Sequence, residues 1–310
     1  MATLWTQRDS NIRKTWLLMT VFFLVVMTIG WVFSQAYGDP SILVIAVVFS
    51  IIMSFGSYWW SDKIVIMTTG ARPLRDEEAP EVHNIIENLC ITAGLPKPRI
   101  YIVDSPQPNA FATGRNAKHA VVAVTTGILR IMNKTELEGV LAHEMSHIGN
   151  RDMLISTVVV VLVGFIQLLS DMFLRSMWWG RMGGGDRDNN SSHAVFLLIG
   201  IVLAILAPIA GLLMQLAVSR RREYLADTSG ALLTRYPEGL ASALQKLAQD
   251  HTPMRQANHA TAHLWLDDPY QGKEKKTSFI TRVFMTHPPI EDRIKRLREL
   301  SMASHEDENK

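Results

Sequence analysis

Four apolar runs, at residues 16–37, 41–60, 154–174 and 194–218, constrain this chain more than any other feature. Each is close to the ~20 residues that a helix needs to cross the hydrocarbon core of a bilayer. None carries Lys or Arg before its last few residues. A buried core helix rarely needs such length, so the chain reads as an α-helical integral membrane protein with four transmembrane helices. Gln167, Ser170 and Asp171 dilute the far end of the third run. The third and fourth runs are therefore also compatible with a hairpin that does not cross fully.

The first run is too long for a signal peptide and lacks a small-residue cleavage site, so it reads as a retained anchor. Arg8, Arg13 and Lys14 precede it, and the turn Gly38-Asp39-Pro40 has no positive charge. Lys63, Arg72 and Arg75 follow the second run, and Arg220, Arg221 and Arg222 follow the fourth. This bias puts both termini in the cytoplasm. The Gly-rich loop at 176–193 falls on the other side. A net charge of +2 gives no reason to propose nucleic acid as a partner, since topology explains the basic residues near the membrane. The lone Cys90 excludes an intrachain disulfide framework and reads as part of a helix core.

The chain thus divides into residues 1–60 (a cytoplasmic tip and two membrane helices), 61–153 (polar), 154–218 (the second membrane pair) and 219–310 (polar). The two polar segments are expected to form one cytoplasmic domain. Residues 76–93 carry Val82, Ile85, Ile86 and Leu89 at helical spacing, and Gly94 and Pro96 follow. Residues 99–103 and 119–124 read as short strands. Thr135 with Glu138 has the form of a capping box before the stripe Leu137, Val140 and Leu141. Residues 220–234 read as a helix continuing from the fourth run, 237–249 as an amphipathic helix, 290–300 as a closing helix, and 302–310 as a charged, disordered tail.

On the helix after that capping box lies His143-Glu144-Met145-Ser146-His147. The spacing puts two imidazoles on one face, as zinc requires, with Glu144 placed to act on a zinc-bound water. A hydrolytic zinc wants a third protein ligand. Glu223 is the best candidate, because Glu223 and Asp227 share a helix face at i and i+4. Glu223 would bind the metal and Asp227 would hydrogen-bond the distal nitrogen of a ligand histidine. A solvated face balanced by the preceding arginines is the competing reading of that pair. If the helices run on straight, both halves of the site emerge roughly 10 Å beyond the apolar runs. His287, held between Thr286 and two prolines, is either a donor to a developing oxyanion or a turn residue. His259 and His263 have no acid between them and read as surface histidines.

HEMSH, REYLAD after a fourth membrane run, PNAFATG upstream and MTHPPIEDRIKRL near the end together resemble the HtpX family of bacterial inner-membrane zinc metalloproteases. That family is related to the CAAX prenyl endopeptidases. The resemblance implies one Zn²⁺ per chain bound by His143, His147 and Glu223, with Glu144 as general base and Asp227 behind the ligands. It implies a mainly α, α+β zincin-like metalloprotease domain. It also implies that Asn109, Ala110, Phe111, Ala112 and Thr113 form an edge strand able to pair with an extended substrate, and that His287 belongs to the cleft. Membrane or unfolded proteins would be the substrates, in quality control under stress. A CAAX-type processing peptidase and a non-catalytic membrane scaffold are the alternatives. The sequence carries no signature of an oligomeric state.

Overall fold

The structure is a computed structural model that describes residues 4–166, 219–252, 261, 264–266 and 288–308. The third apolar run beyond residue 166 and all of the fourth lie outside the described residues. Helix α1 (Leu4–Tyr37) and helix α2 (Ser41–Trp59) form an antiparallel hairpin. Gly38, at φ 66°, and Pro40 break the helix between them. Gly30 approaches Ala46 near the turn, and Trp16 stacks on Tyr58 at the open end, with ring centroids 6.0 Å apart. Residues Asp9–Gln35 and Ser41–Trp59 are long and apolar enough to cross a membrane. Their outward residues, among them Leu17, Leu24, Val44, Ile45, Ile52 and Phe55, are exposed, as lipid-facing side chains are.

Helix α3 (Ser61–Thr69) follows α2 directly and is tied to the sheet by Asp62, which pairs with Arg99 at 2.6 Å. The sheet has strands β1 (Arg72–Pro73), β2 (Arg99–Val103), β3 (Ala110–Thr113) and β4 (Val121–Thr125), in the order β1-β2-β4-β3. Strands β2 and β4 are parallel, and the other two pairings are antiparallel. The fourth strand begins at Val121 rather than at residue 119, because Asn116 caps a single 3-10 turn over Ala117–His119. Helix α4 (Pro80–Ala93) starts at a proline, ends at the left-handed Gly94, and buries Val82, Ile85, Ile86 and Leu89 as their spacing predicts. Cys90 is buried with them.

After the short helix α5 (Thr126–Ile131) comes helix α6 (Lys134–Asn150), which carries the HExxH motif. Its capping box is Asn133 with Glu136, not Thr135 with Glu138. The helix starts one residue before Thr135, whose hydroxyl donates to Asn133 Oδ1 instead. Arg151, at φ 57°, ends α6, and helix α7 (Asp152–Ile166) departs at 84°. The straight run expected from the motif into the third apolar segment is therefore absent. If the bent pair is counted as one span, the candidate membrane spans number three among the described residues.

Ser219 is extended (φ −133°, ψ 119°), so helix α8 (Arg220–Thr234) begins afresh rather than continuing the fourth run. Helices α9 (Pro237–Gln249) and α10 (Ile290–Glu308) complete the fold. The last is longer than expected and takes in most of the charged tail. Among the described residues two apolar cores result. One, with Ile86, Val122, Leu141 and Leu244, lies among the sheet, α4, α6 and α9. The other joins the membrane hairpin to the sheet, packing Leu18 and Phe22 of α1 with Val158 and Leu162 of α7 and with Phe111.

Candidate metal centre

Helix α6 turns one face to the first core, where Leu137, Val140 and Leu141 are buried, and presents His143 and His147 to α8. The two rings lie edge to face, with centroids 4.7 Å apart and Nε2 atoms 3.1 Å apart. Glu223, in the first turn of α8, reaches both: Oε2 is 3.7 Å from His143 Nε2 and Oε1 is 3.6 Å from His147 Nε2. One ligand atom from each of the three residues fits within 4.8 Å of the others. The helices can approach this closely because of Gly230, where an added Cβ would lie 3.0 Å from His143 N.

Each imidazole is held from behind by a carboxylate. Asp227 Oδ1 is 2.9 Å from His143 Nδ1, and Asp152 Oδ2 is 3.1 Å from His147 Nδ1. With Nδ1–H donating to its carboxylate, each ring directs an Nε2 lone pair into the shared space. Two lone pairs 3.1 Å apart beside a carboxylate call for a cation or a proton between them. Burial works against a protonated His147, but the Asp152 hydrogen bond and the charge of Glu223 outweigh it and hold its pKa up at about 9. A His₂Glu donor set with oriented rings fits zinc well.

Asp227 is itself gripped by Arg293 of α10, with Nε 2.9 Å from Oδ2 and Nη2 2.7 Å from Oδ1. Burial would raise the Asp227 pKa, yet the guanidinium and His143 bring it down to about 2. Arg293 is fully buried, and its Nη1 lies 3.9 Å from Glu223 Oε2. Glu144 is buried, and burial raises its pKa against the opposing pull of the two histidines.

The structure thus brings His143, His147, Glu223 and Asp227 together, with Glu144 beside them on α6. Asp152 and Arg293 belong to the same cluster and were not anticipated. Arg293 had a signal: it falls between Ile290 and Leu297 on the apolar face of its helix, where a charge needs a buried partner. Among the described residues Ala110, Phe111, Ala112 and Thr113 form the terminal strand of the sheet, with all four buried, and Asn109 leads into it. The carbonyl of Asn109 faces β4, so by alternation Ala110 and Ala112 face outward. That edge is partly taken, since Leu266 N–H donates to the Ala110 carbonyl at 3.0 Å and Trp265 packs edge-on against Phe111. His287, His259 and His263 lie outside the described residues.

Residues 76–301 match the family model described as "Peptidase family M48". The chain belongs to that family. The M48 chain is 47% identical over 303 residues to a protease HtpX homolog of Caldanaerobacter subterraneus subsp. tengcongensis, covering 97% of this chain and 99% of the relative. It is 46% identical to the protease HtpX homolog of Pyrococcus furiosus, over 93% and 96%. Among solved structures it is similar to S. mikatae Ste24p, at 19% identity and a TM-score of 0.47, over 95% of this chain and 66% of that one. As an M48 zinc metalloprotease it has its HExxH histidines and downstream glutamate in place.

Proposed function

We propose that this M48 chain is a membrane-embedded zinc endopeptidase that cleaves membrane or misfolded proteins at the cytoplasmic face, in membrane protein quality control. The observation that carries this reading is the convergence of His143, His147 and Glu223 at the open end of a membrane hairpin, with both distal nitrogens engaged by carboxylates. A site held there meets segments that emerge from the bilayer, and the two helices long and apolar enough to cross a membrane support a membrane location.

His143, His147 and Glu223 would hold the metal. When bound, zinc would lower the pKa of a water toward ~7 and polarise the scissile carbonyl. Glu144 would take a proton from the attacking water and hand it to the leaving amine. Its burial, which raises its affinity for a proton, suits the second half of that task. Asp227 and Asp152 keep both imidazoles in the ligating tautomer, and Arg293 keeps Asp227 ionised. The outward main chain of β3 would align an extended substrate.

The test is cleavage of a membrane-anchored reporter by detergent-purified protein, stripped by chelator and then reloaded with zinc. Zinc-loaded wild type should cut, whereas Glu144→Ala should retain zinc and fold but not cut. Full activity in that variant would sink the proposed mechanism.

A further inference from the structure

Asn11 is fully buried near the start of α1, on the same side of the helix as the buried Thr15, Leu18 and Phe22. Its amide nitrogen donates to the Asn150 carbonyl at 3.1 Å and to Asp152 Oδ1 at 2.6 Å. Its Oδ1 accepts from Arg222 Nη1 at 3.4 Å. The amide can be oriented only this way, because a flip would set its oxygen against a carboxylate and a carbonyl and its NH₂ against a guanidinium. Arg222 Nε also lies 3.7 Å from Asp152 Oδ1. Asp152 is thus held on one oxygen by the membrane hairpin and by α8, while its other oxygen takes the His147 Nδ1 proton. Such a carboxylate sets the tautomer and tilt of the ring in front of it.

We propose that Asn11 is a positioning residue of the metal centre: it fixes the Asp152 carboxylate that orients His147, so zinc affinity depends on how the first membrane helix is seated. The inference rests on the His143, His147 and Glu223 metal reading and extends it to a residue 141 positions from Asp152 in sequence. Simple packing of α1 against the domain would make the folded protein's zinc affinity indifferent to the Asn11 amide. Positioning makes it sensitive.

The experiment measures zinc affinity by chelator competition on full-length, detergent-purified protein, for wild type, Asn11→Ala and Asn11→Asp, and for Asp152→Ala with and without the Asn11→Ala change. Asn11→Asp preserves volume while turning the donor on Asp152 into an acceptor. Partners behind ligating histidines typically contribute about 10–100-fold in metal affinity, so a residue one step further out should contribute about 3–10-fold in both Asn11 single variants. Without the Asp152 carboxylate, the Asn11→Ala effect should shrink to less than about twofold, because its route to His147 is gone. Wild-type affinity in either folded Asn11 single variant would overturn the proposal, as would an undiminished effect in the Asp152→Ala background. If wild type itself failed to retain zinc, the metal reading would fall instead.

Discussion

His147 shows how a residue's surroundings become a measurable property of the site. Its pKa is raised from 6.5 to about 9, so in the metal-free chain the proton's stabilising contribution is complete below about 6.5 and is lost as pH rises through 9. Zinc needs the neutral ring, so binding below pH 9 must expel that proton. Apparent zinc affinity should therefore rise by roughly tenfold per pH unit between pH 7 and 9, once corrected for the chelator's own titration. A flat profile would mean that Asp152 and Glu223 do not hold the proton. Arg293 supports a second expectation. Arg293→Met would leave Asp227 buried without its guanidinium, and removing one partner of a buried ion pair costs about 3–5 kcal/mol. Denaturant unfolding of the metal-free variant should show this loss, and an unchanged midpoint would mean that the pair contributes nothing.

At the scale of elements, the site depends on how closely α6 and α8 pack, because one supplies two ligands and the other the third. Gly230 sits where their backbones touch, and a methyl there would press on His143 N at 3.0 Å and its Cα at 3.2 Å. Neither is the free end of a flexible side chain, so the helices must separate. Gly230→Ala should cost about 1–3 kcal/mol as overpacking and should weaken zinc binding by moving Glu223 away from the histidines. Gly149→Ala is the matched control on α6, since its nearest neighbour is Leu95 Cδ1 at an ordinary 3.7 Å. Equal zinc affinity in the two variants would detach the ligand geometry from this helix contact.

At the scale of the whole molecule, the hairpin places the N-terminal end of α1 beside the metal centre and the Gly38–Pro40 turn at the far end of the helices. A 27-residue span such as Asp9–Gln35 is about 40 Å long, enough to carry that turn across a bilayer. In intact cells carrying the chain with Cys90→Ala, a membrane-impermeant thiol reagent should label Asp39→Cys from outside and leave Asp76→Cys untouched. Labelling of Asp76→Cys alone would invert the orientation and put the site outside. The second apolar core makes the hairpin part of the catalytic unit, since Leu18 and Phe22 share it with Phe111 of the edge strand.

Features that depend on neighbours in sequence were legible from the chain itself. Two imidazoles four residues apart share a helix face, as do Glu223 and Asp227, because helical periodicity decides that locally. The first two membrane helices follow from runs of apolar residues, and the C-terminal end of α4 and the extent of β2 follow from Gly and β-branched residues, whereas α4 starts at Pro80 rather than at residue 76 because residues 76–78 form a turn. Tertiary packing decided the rest. The Glu136 carboxylate of the Asn133 capping box, itself a local pattern, is also bound by Ser242 and Lys246 of α9 from more than 100 residues away. Arg151 took a left-handed conformation that swings α7 aside. Asp152 reaches Asn11 across 141 residues, and Arg293 reaches Asp227 across 66. Whether such polar groups meet depends on the relative placement of separate helices, which no local pattern encodes. Burial then made each meeting obligatory, since an unpaired polar group there would be costly.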